Sequence, residues 1–403
     1  VGLLRLSHDR AAARVALWLE EWREVWWTVP IWFGVLVALA VILRRIVREE
    51  PLISGSGIPQ TELALAGRLS FTWWRVLLAK FLGSWLALFG GLALGREGPS
   101  IQMGGAVGAG FHALWRPAAP HALTGSPYVV AGAVAGLAAA FGAPAAGVLF
   151  AFEEMKSRRD TSLIVAACAS AIGAHLMIRI VFGMGRILPF AGFEAPPLSS
   201  FWIVALEGAV FGVLGVGYNK TLLWLHDREA GQTLIPDRWR ALPPLLLAGC
   251  LALFAPLLIG GGESLIIFVG EHDVALKTLI LLLAFKYLFA QYSTVASIPG
   301  GLLMPILCLG ALWGRLWAEL PVSALAAHGL ASGSVQPYVL FGMVSYFAAT
   351  VRAPLTGIVL VTEMSGTYTC LPGSLLAGLI ACKVANLLHC PPVYDSLKER
   401  IRL

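Results

Sequence analysis

Apolar runs follow one another along the whole chain and are separated by short polar or glycine-rich breaks. Several approach the roughly 20 residues that a helix needs to cross a bilayer, whereas others are shorter or interrupted by Gly and Pro. The runs are residues 29–43, 76–94, 128–152, 163–182, 201–218, 242–259, 276–289 and 338–349. The pattern predicts an all-α polytopic membrane protein in which some helices do not span completely.

Composition and charge support this class of protein. Of the 403 residues, 58% are hydrophobic and only 13% are charged, which is about half of the charged fraction of a soluble domain. The net charge is +6, and basic clusters lie beside apolar runs at residues 44–48 and 156–159. The positive-inside rule places both clusters on the cytoplasmic side. Binding of nucleic acid would need a concentrated basic patch on a soluble face, and the sequence shows none.

The cysteines, histidines and serines do not form a recognisable catalytic or metal site. The six cysteines are scattered without CxxC spacing, and the eight histidines form no i, i+4 pair. We therefore expect no metal site and no cofactor. An intramembrane serine protease would need a serine and a histidine on facing helices. Ser56 could be imagined as the nucleophile, but the histidines lie in loops or unrelated helices without a supporting motif, so we do not expect an enzyme.

Two segments that lie 206 residues apart carry the same skeleton of Gly and Pro. Residues 95–108 (GREGPSIQMGGAVG) align without a gap with residues 301–314 (GLLMPILCLGALWG). Both read G-x-x-x-P-x-[IL]-x-[ML]-G-x-x-x-G, and Glu97 in the first copy stands where the second copy has Leu303. A duplicated helix start with a carboxylate in one copy only suggests a pore with a gate.

A second pair of segments supports the repeat. Residues 143–155 (APAAGVLFAFEEM) resemble residues 353–364 (APLTGIVLVTEM) at an offset of 210. The basic run 156–159 follows the first segment, whereas residues 365–371 carry no charge. The two copies are therefore predicted to leave the membrane on opposite faces, which makes the repeat inverted. We predict one transmembrane domain with halves at residues 1–190 and 200–397.

Three breaks rich in Gly and Pro interrupt the apolar sequence at residues 55–59, 95–99 and 297–305. Glycine lets the backbone approach an ion closely, and proline is tolerated in the first helical turn. The free N–H groups and the helix dipole then form an anion site without a fixed cation. Helix kinks and small-residue packing are the structural alternative. Three breaks, two of them related by the repeat, favour an anion site near the membrane midplane.

These motifs resemble the CLC family of chloride channels and proton/chloride antiporters, of the prokaryotic type without regulatory CBS domains. The resemblance rests on Gly55-Ser-Gly-Ile-Pro59, Gly95-Arg-Glu-Gly-Pro99, the break from Gly301 to Pro305, and Tyr368, and it runs from about residue 1 to about residue 397. It implies a multi-pass homodimer in the lipid bilayer, expected in the bacterial inner membrane. Each subunit would hold its own pore between two inverted helical halves, with bound chloride ions and protons as substrates.

The resemblance also implies a set of site residues. The central anion site would be made by the hydroxyls of Ser56 and Tyr368 and by the N–H groups of Leu302 and Leu303. An outer anion site would lie at the N–H groups around Arg96 and Gly98, and Glu97 would be the external gating glutamate.

The chemistry of Glu97 fits a gate. Two negative charges about 4 Å apart repel by roughly 4 kcal/mol at an effective dielectric constant of 20, so an ionised Glu97 competes with a bound anion. Dehydration and a neighbouring anion both favour the protonated carboxyl, which links proton binding to anion binding. A salt bridge to Arg96 is the structural alternative, but adjacent residues on a helix point in different directions.

A second carboxylate separates an antiporter from a channel. In the resemblance, Glu154 matches the internal proton-transfer glutamate of the antiporters, a position that is apolar in several true channels. The alternative is that Glu153 and Glu154 pair with the basic run 156–159 at the membrane surface, which we favour for Glu153. Proton/chloride exchange is thus the leading prediction, and a passive chloride channel is the alternative.

Two further residues leave questions open. Leu303 stands where many relatives have Phe, so the tightness of coupling is open. Glu207 lies in an apolar helix, and an intramembrane carboxylate is a functional candidate by default. We favour a structural role for it, facing a dimer partner or a lysine on another helix.

Overall fold

The computed structural model describes residues 1–4, 6–7, 27–117, 123–155, 161–188, 190, 193–327 and 335–401. The basic run 156–159 lies outside these residues. In the described part the regular structure is helical, apart from one isolated antiparallel bridge between Gly95 and Gly301. An all-α protein was predicted, and the prediction is confirmed.

In the described part of the first half, from residue 27 on, seven α-helices of unequal length follow one another. They are α1 (Thr28–Glu49), α2 (Ile58–Leu65), α3 (Trp73–Phe89), α4 (Glu97–Trp115), α5 (Pro127–Phe141), α6 (Pro144–Glu153) and α7 (Thr161–Ile180). The second half continues with α8 (Phe201–Gly231), α9 (Leu242–Phe254), α10 (Glu263–Glu271), α11 (Leu276–Val295), α12 (Leu303–Trp317), α13 (Ser323–Ala327), α14 (Gln336–Val351), α15 (Pro354–Ser365), α16 (Leu371–Leu387) and α17 (Val393–Lys398).

Short turns of tighter or wider helix join these elements. Turns of 3₁₀ helix occupy Pro51–Ile53, Leu198–Ser200, Asp237–Trp239, Pro256–Leu258 and Tyr368–Cys370, and a π-helical turn occupies Ala318–Val322. The turns at Pro51–Ile53 and Pro256–Leu258 each come shortly before a short helix, α2 and α10.

Six helical stretches in the described part are long and apolar enough to cross a membrane: Thr28–Glu49, Thr161–Ile180, Leu198–Gly231, Leu276–Val295, Leu303–Ala326 and Tyr368–Leu387. Helices α5, α6 and α15 are apolar but shorter. Large apolar side chains such as Leu78, Phe111 and Val165 are exposed on the outside, where lipid replaces water in an integral membrane protein. The predicted mixture of complete and incomplete spans is confirmed.

The repeat is visible in the turns that join α5 to α6 and α14 to α15. Both turns pass through a left-handed residue, Gly142 at φ 66° and Arg352 at φ 71°. A non-glycine side chain is strained there, and Arg352 is held by hydrogen bonds to Asn386 Oδ1 at 3.0 Å and to the Cys390 carbonyl at 2.9 Å. Proline then begins the following helix in both copies, where its missing N–H has no partner to lose.

Helices α6 and α15 cap one another. Glu153, the last residue of α6, accepts the N–H of Thr356 at 2.6 Å, in the first turn of α15. Glu363, near the end of α15, accepts the N–H of Ala146 at 2.9 Å, in the first turn of α6. Since the end of each helix meets the start of the other, the two repeat copies run antiparallel, as an inverted repeat requires.

Glycines let the helices that begin at the bridge pack closely against their neighbours. A Cβ at Gly104 of α4 would collide with the carbonyl of Gly132 on α5, and one at Gly314 of α12 would collide with the carbonyl of Tyr338 on α14. These glycines belong to the G-x-x-x-G parts of the duplicated skeleton. The small-residue packing that we considered as an alternative is therefore present, and it fixes α4 and α12 in position.

Candidate ion-binding site

The two copies of the duplicated skeleton meet at their first glycines. Gly95 donates its N–H to the Gly301 carbonyl at 2.7 Å, and Gly301 donates to the Gly95 carbonyl at 2.6 Å. Helices α4 and α12 begin two residues later, at Glu97 and Leu303. The first N–H groups of a helix have no intrahelical partner, so two positive helix ends lie together in the centre of the molecule.

Glu97 is buried, with 2% of its surface exposed. Its carboxylate turns back toward the start of its own helix, because Oε2 lies against Gly95 so closely that a Cβ at Gly95 would collide with it. The carboxylate also interacts with the backbone N–H groups of Arg96 and Glu97. The carboxyl group of Glu97 therefore lies at the helix start that an anion would use.

Ser56 reaches the same centre from the break at residues 55–59. It is buried, and Gly57 after it has φ 88°, which caps the start of α2. A Cβ at Gly98 would lie 2.8 Å from the Ser56 carbonyl oxygen and 2.9 Å from the Ser56 Cβ. Gly300 donates its N–H to the Gly55 carbonyl at 3.0 Å. The structure thus brings all three predicted breaks into contact.

Leu302 and Leu303 occupy the N-cap and the first position of α12 and are fully enclosed, with 1% and 0% exposed. Their N–H groups precede the first N–H that can bond within the helix. These N–H groups are therefore left without an intrahelical partner, whatever the side chain. Leu303 adds an apolar wall beside it.

Two buried lysines hold the loops that lead into α2 and α10, a relationship that sequence reasoning missed. Lys80 Nζ donates to the carbonyls of Ile53 at 2.8 Å and Gly55 at 2.7 Å. Lys286 Nζ donates to the carbonyls of Leu258 at 2.9 Å and Gly260 at 2.7 Å. The glycine pairs 55/57 and 260/262, each followed by a lysine 25 or 26 residues after its first glycine, carry this third repeat in the sequence. Each lysine thus ties down two carbonyl groups of the loop that leads into the helix.

The structure contradicts the assignment of Tyr368 to the central site. Tyr368 lies in a 3₁₀ turn, and 62% of its surface is exposed. Tyr394 on α17 is fully buried instead, and its hydroxyl has no hydrogen-bond partner among the described residues. It interacts electrostatically with Glu154 and Glu97. Of the two tyrosines, Tyr394, which follows the Pro391-Pro392 pair, is thus the one that is enclosed in the protein.

Helix α17 is fastened to α2 by an ion pair. Lys398 at its end pairs with the buried Glu62 of α2 and, at 2.5 Å, with Asp395 Oδ1. Burial alone would lower the pKa of Lys398, but the two carboxylates raise it above its ordinary value. The pairing holds the helix that carries Tyr394 against the helix that starts beside Ser56.

Glu154 caps the end of α6 and is buried, with 4% exposed. It interacts electrostatically with Tyr394, as Glu97 does. Glu153 faces away and caps α15, accepting the Leu355 N–H at 3.1 Å and the Thr356 hydroxyl at 2.8 Å. The basic partners that we expected for Glu153 lie outside the described residues, and its observed role is a helix cap.

Arg96 and Gly98, the residues predicted for the outer site, flank Glu97 in the chain. Arg96 is the N-cap of α4, and its Nη2 donates to Glu263 Oε2 at 2.9 Å. Glu263 is the first residue of α10, so the pair joins the start of α4 to the start of α10. Gly98 contacts Ser56 and Gly301 through its backbone. The predicted outer residues are therefore adjacent to Glu97 and to the bridge.

Glu207 lies inside the bundle of a single chain. It is 0% exposed, so it does not face a dimer partner, which was one of the two expected settings, and neither carboxylate oxygen has a hydrogen-bond partner, a lysine included, among the described residues. The phenol of Tyr338 on α14 interacts with it electrostatically. Within the described part of the chain no group of His, Cys, Asp and Glu is arranged to hold a metal ion.

Comparison with known proteins adds to this geometry. The family model "Voltage gated chloride channel" matches residues 33–386. The chain belongs to the voltage gated chloride channel (CLC) family. An H(+)/Cl(-) exchange transporter ClcA of Vibrio campbellii is 36% identical over 412 residues, which cover 99% of this chain and 86% of that protein. The ClcA of Klebsiella pneumoniae is 33% identical over 398 residues, covering 97% and 82%.

Solved structures of this CLC family share the fold. A slow cyanobacterial Cl⁻/H⁺ antiporter superimposes with a TM-score of 0.90 at 29% identity, covering 99% of this chain and 94% of that one. A CLC-type fluoride/proton antiporter superimposes with a TM-score of 0.72 at 19% identity and covers 98% and 95%. The second likeness concerns the fold alone.

Proposed function

We propose that this protein exchanges chloride for protons across the membrane, with Glu97 as gate and Glu154 as internal proton-transfer residue. The observation that carries the proposal is the position of Glu97, whose carboxylate lies at the paired helix starts against Gly95. The names of the ClcA relatives and the high structural similarity to a Cl⁻/H⁺ antiporter support it.

Competition for one helix start would link the two ions. An ionised Glu97 takes the N-terminal N–H groups of α4 that an anion would otherwise bind. Protonation removes its charge, so the side chain no longer competes and an anion replaces it. Each proton that reaches Glu97 therefore changes the occupancy of the anion site. This is exchange by competition and needs no metal.

The inner anion site would consist of the Ser56 and Tyr394 hydroxyls with the N–H groups of Leu302 and Leu303. Arg96 and the N–H of Gly98 would serve the outer site. Neutral donors bind a halide by partial charges, so the ion also leaves readily. The lysine-held loops support this, because Lys80 and Lys286 occupy carbonyls that would repel an anion.

Protons would enter from the cytoplasm at Glu154 and reach Glu97 past Tyr394, which interacts with both carboxylates. We propose further that the protein is a transporter and not an enzyme, that it uses no cofactor, and that it works as a homodimer in a bacterial inner membrane. Native mass measurement in detergent tests the dimer.

The decisive experiment measures chloride and proton flux together in liposomes with a chloride gradient. The wild-type protein is expected to move protons uphill against their gradient. Glu97→Gln is expected to keep chloride flux and lose proton coupling. Unchanged coupling in Glu97→Gln would refute the gate.

Glu154→Gln tests the internal residue in the same assay. We expect chloride flux to continue and proton movement to stop, whereas Glu271→Gln, at the exposed end of α10, should behave as wild type. Chloride flux without uphill proton movement in the wild-type protein would make the chain a passive channel instead.

A further inference from the structure

The loop that leads into α10 lies against the bridge of the candidate site. A Cβ at Gly261 would lie 3.1 Å from Met304 Cγ and 3.4 Å from the Leu94 carbonyl oxygen. Leu94 immediately precedes Gly95 in the chain, and a Cβ at Gly95 would lie 3.1 Å from Met304 Cβ. Helix α10 therefore starts beside the starts of α4 and α12.

An ion pair joins the start of α10 to the start of α4. Arg96, the N-cap of α4, donates through Nη2 to Oε2 of Glu263, the first residue of α10, at 2.9 Å. The side chain of Arg96 is 9% exposed and that of Glu263 is 35% exposed. Glu97 interacts electrostatically with both members of the pair. The guanidinium is thus enclosed beside the site while the carboxylate is partly open, and both charges act where Glu97 and an anion would compete.

Both members of this pair depart from the repeat. Arg96 stands where the aligned second copy has Leu302. Helices α2 and α10 both start after a left-handed glycine, at φ 88° and 100°, and this alignment places Glu263 where α2 has Ile58. The other half of the site therefore has apolar side chains at both positions. The two charges are not needed to form these helix starts, because the apolar copies form them too.

A guanidinium beside an anion site has a consequence for transport. A full positive charge attracts a halide more strongly than the partial charges of N–H groups do, yet a transported ion must also leave its site. A carboxylate that is bonded to the guanidinium offsets this charge. The field of the pair is that of a dipole, which decreases more steeply with distance than the field of a single charge.

We propose that Glu263 is a positioning residue of the outer anion site: it holds the Arg96 guanidinium and offsets its charge, so that chloride binds weakly enough to be released. The inference rests on the proposed exchange function, in which Arg96 and the N–H of Gly98 serve the outer site. Without the charge of Glu263, the guanidinium would retain chloride there and keep Glu97 away from its helix start for longer. Weak binding thus favours the alternation on which exchange depends.

Glu263→Gln tests the charge with little change of shape, since the amide oxygen can still accept a hydrogen bond from Arg96. When it is added to Glu97→Gln, in which no carboxylate competes, isothermal titration should show chloride binding about three- to tenfold more tightly. In the liposome assay with Glu97 intact, the half-saturating chloride concentration and the maximal chloride flux should both fall. Glu263→Asp, which keeps the charge, should stay near wild type. Glu271→Gln, at the other end of α10, is the matched control and should not differ from wild type.

The outcomes separate the two hypotheses. Chloride binding that is unchanged or weaker without the charge, or tighter binding with undiminished flux, would overturn the role of Glu263 and leave the exchange function standing. A fall of flux with an unchanged or higher half-saturating concentration would show a merely structural role and would also overturn it. If wild-type protein moves no protons uphill, the exchange function fails, whereas the titration still decides the role of Glu263. Glu263→Ile, which copies the residue of α2, gives the same test if the Gln variant does not fold.

Discussion

Gly95 and Gly301 each donate a main-chain hydrogen bond to the other, at 2.7 and 2.6 Å. These residues begin the two copies of one skeleton, so the repeat meets itself at the point where both helices start. Neither position has space for a side chain, since the Glu97 carboxylate lies against Gly95 and the backbone of Gly98 lies against Gly301. The bridge therefore sets the distance between the two helix starts that would share an anion.

Gly301→Ala should damage this arrangement directly. The added Cβ would lie 2.9 Å from the Gly98 nitrogen and 3.1 Å from the Gly95 oxygen, both backbone atoms that cannot move aside cheaply. We expect chloride flux to fall about tenfold or more, since about 1.4 kcal/mol suffices for that factor. Gly217→Ala, where nothing lies within 4 Å, is the control. Equal flux in both variants would contradict the role of the bridge.

The two candidate tyrosines give a direct comparison. Tyr394→Phe should weaken chloride binding, because a hydrogen bond to a charged partner contributes about 1.5–3 kcal/mol. Tyr368→Phe should leave chloride affinity unchanged, since Tyr368 is 62% exposed and lies in a different turn. Isothermal titration with chloride measures both. Weaker binding in Tyr368→Phe than in Tyr394→Phe would restore the assignment made from the sequence.

The sequence predicted the two helix starts of the site but not its buried tyrosine. The helix starts at Glu97 and Leu303 were predictable because the same Gly and Pro skeleton recurs over 14 aligned positions. Such a match indicates a duplicated structural element. Tyr394 was missed because it lies in a six-residue helix, which is too short for a periodic pattern. Both tyrosines follow a turn, and only tertiary packing decides which one is buried.

For charged residues, too, the sequence predicted the position in a helix better than the partner in space. The repeated skeleton placed Glu97 at a helix start, where its side chain can contact the backbone of its own first turn. The partners of Glu153 and Lys286 depend on which helices pack together, and that information is not local. Glu153 was expected at a charged surface, yet it caps a helix more than 200 residues away in the chain. The offset of 210 between residues 143–155 and 353–364 held the only sequence signal for that pairing.

The reciprocal caps predict unequal losses of stability. Glu153 accepts three hydrogen bonds from Leu355 and Thr356, whereas Glu363 accepts two from Ala145 and Ala146. Replacing either by Gln removes the charge from a helix N-terminus, and we expect a loss of about 0.5–2 kcal/mol for each. The loss should be larger for Glu153→Gln.

Thermal unfolding in detergent measures these losses, with Glu271→Gln as the control. Glu271 ends α10 and is exposed, so its variant should unfold as wild type does. If Glu363→Gln loses more stability than Glu153→Gln, or if neither differs from the control, the caps do not carry the α6–α15 contact.

Asp237 gives a stability contribution that depends on pH. It pairs with Arg44 and, at 3.0 Å, with Arg48, at the end of α1. Partial burial alone would raise the pKa of Asp237, but the hydrogen bond from Arg48 and the charges of both arginines lower it below the ordinary 3.8. Because the pKa is lower in the folded state, the pairing stabilises the protein above pH 3.8 and is lost as the pH falls through the folded value.

Asp237→Asn should therefore be less stable than wild type near neutral pH, by at most about 1 kcal/mol because the carboxylate is partly exposed. The difference should stay constant down to about pH 5 and shrink below about pH 4, where the wild-type carboxylate takes up its proton. Glu49→Gln, which removes the exposed pair with Arg45, should change stability less at any pH. Unfolding in detergent across this pH range measures the difference, and a gap that widens on acidification would show that Asp237 is not stabilised by the arginines.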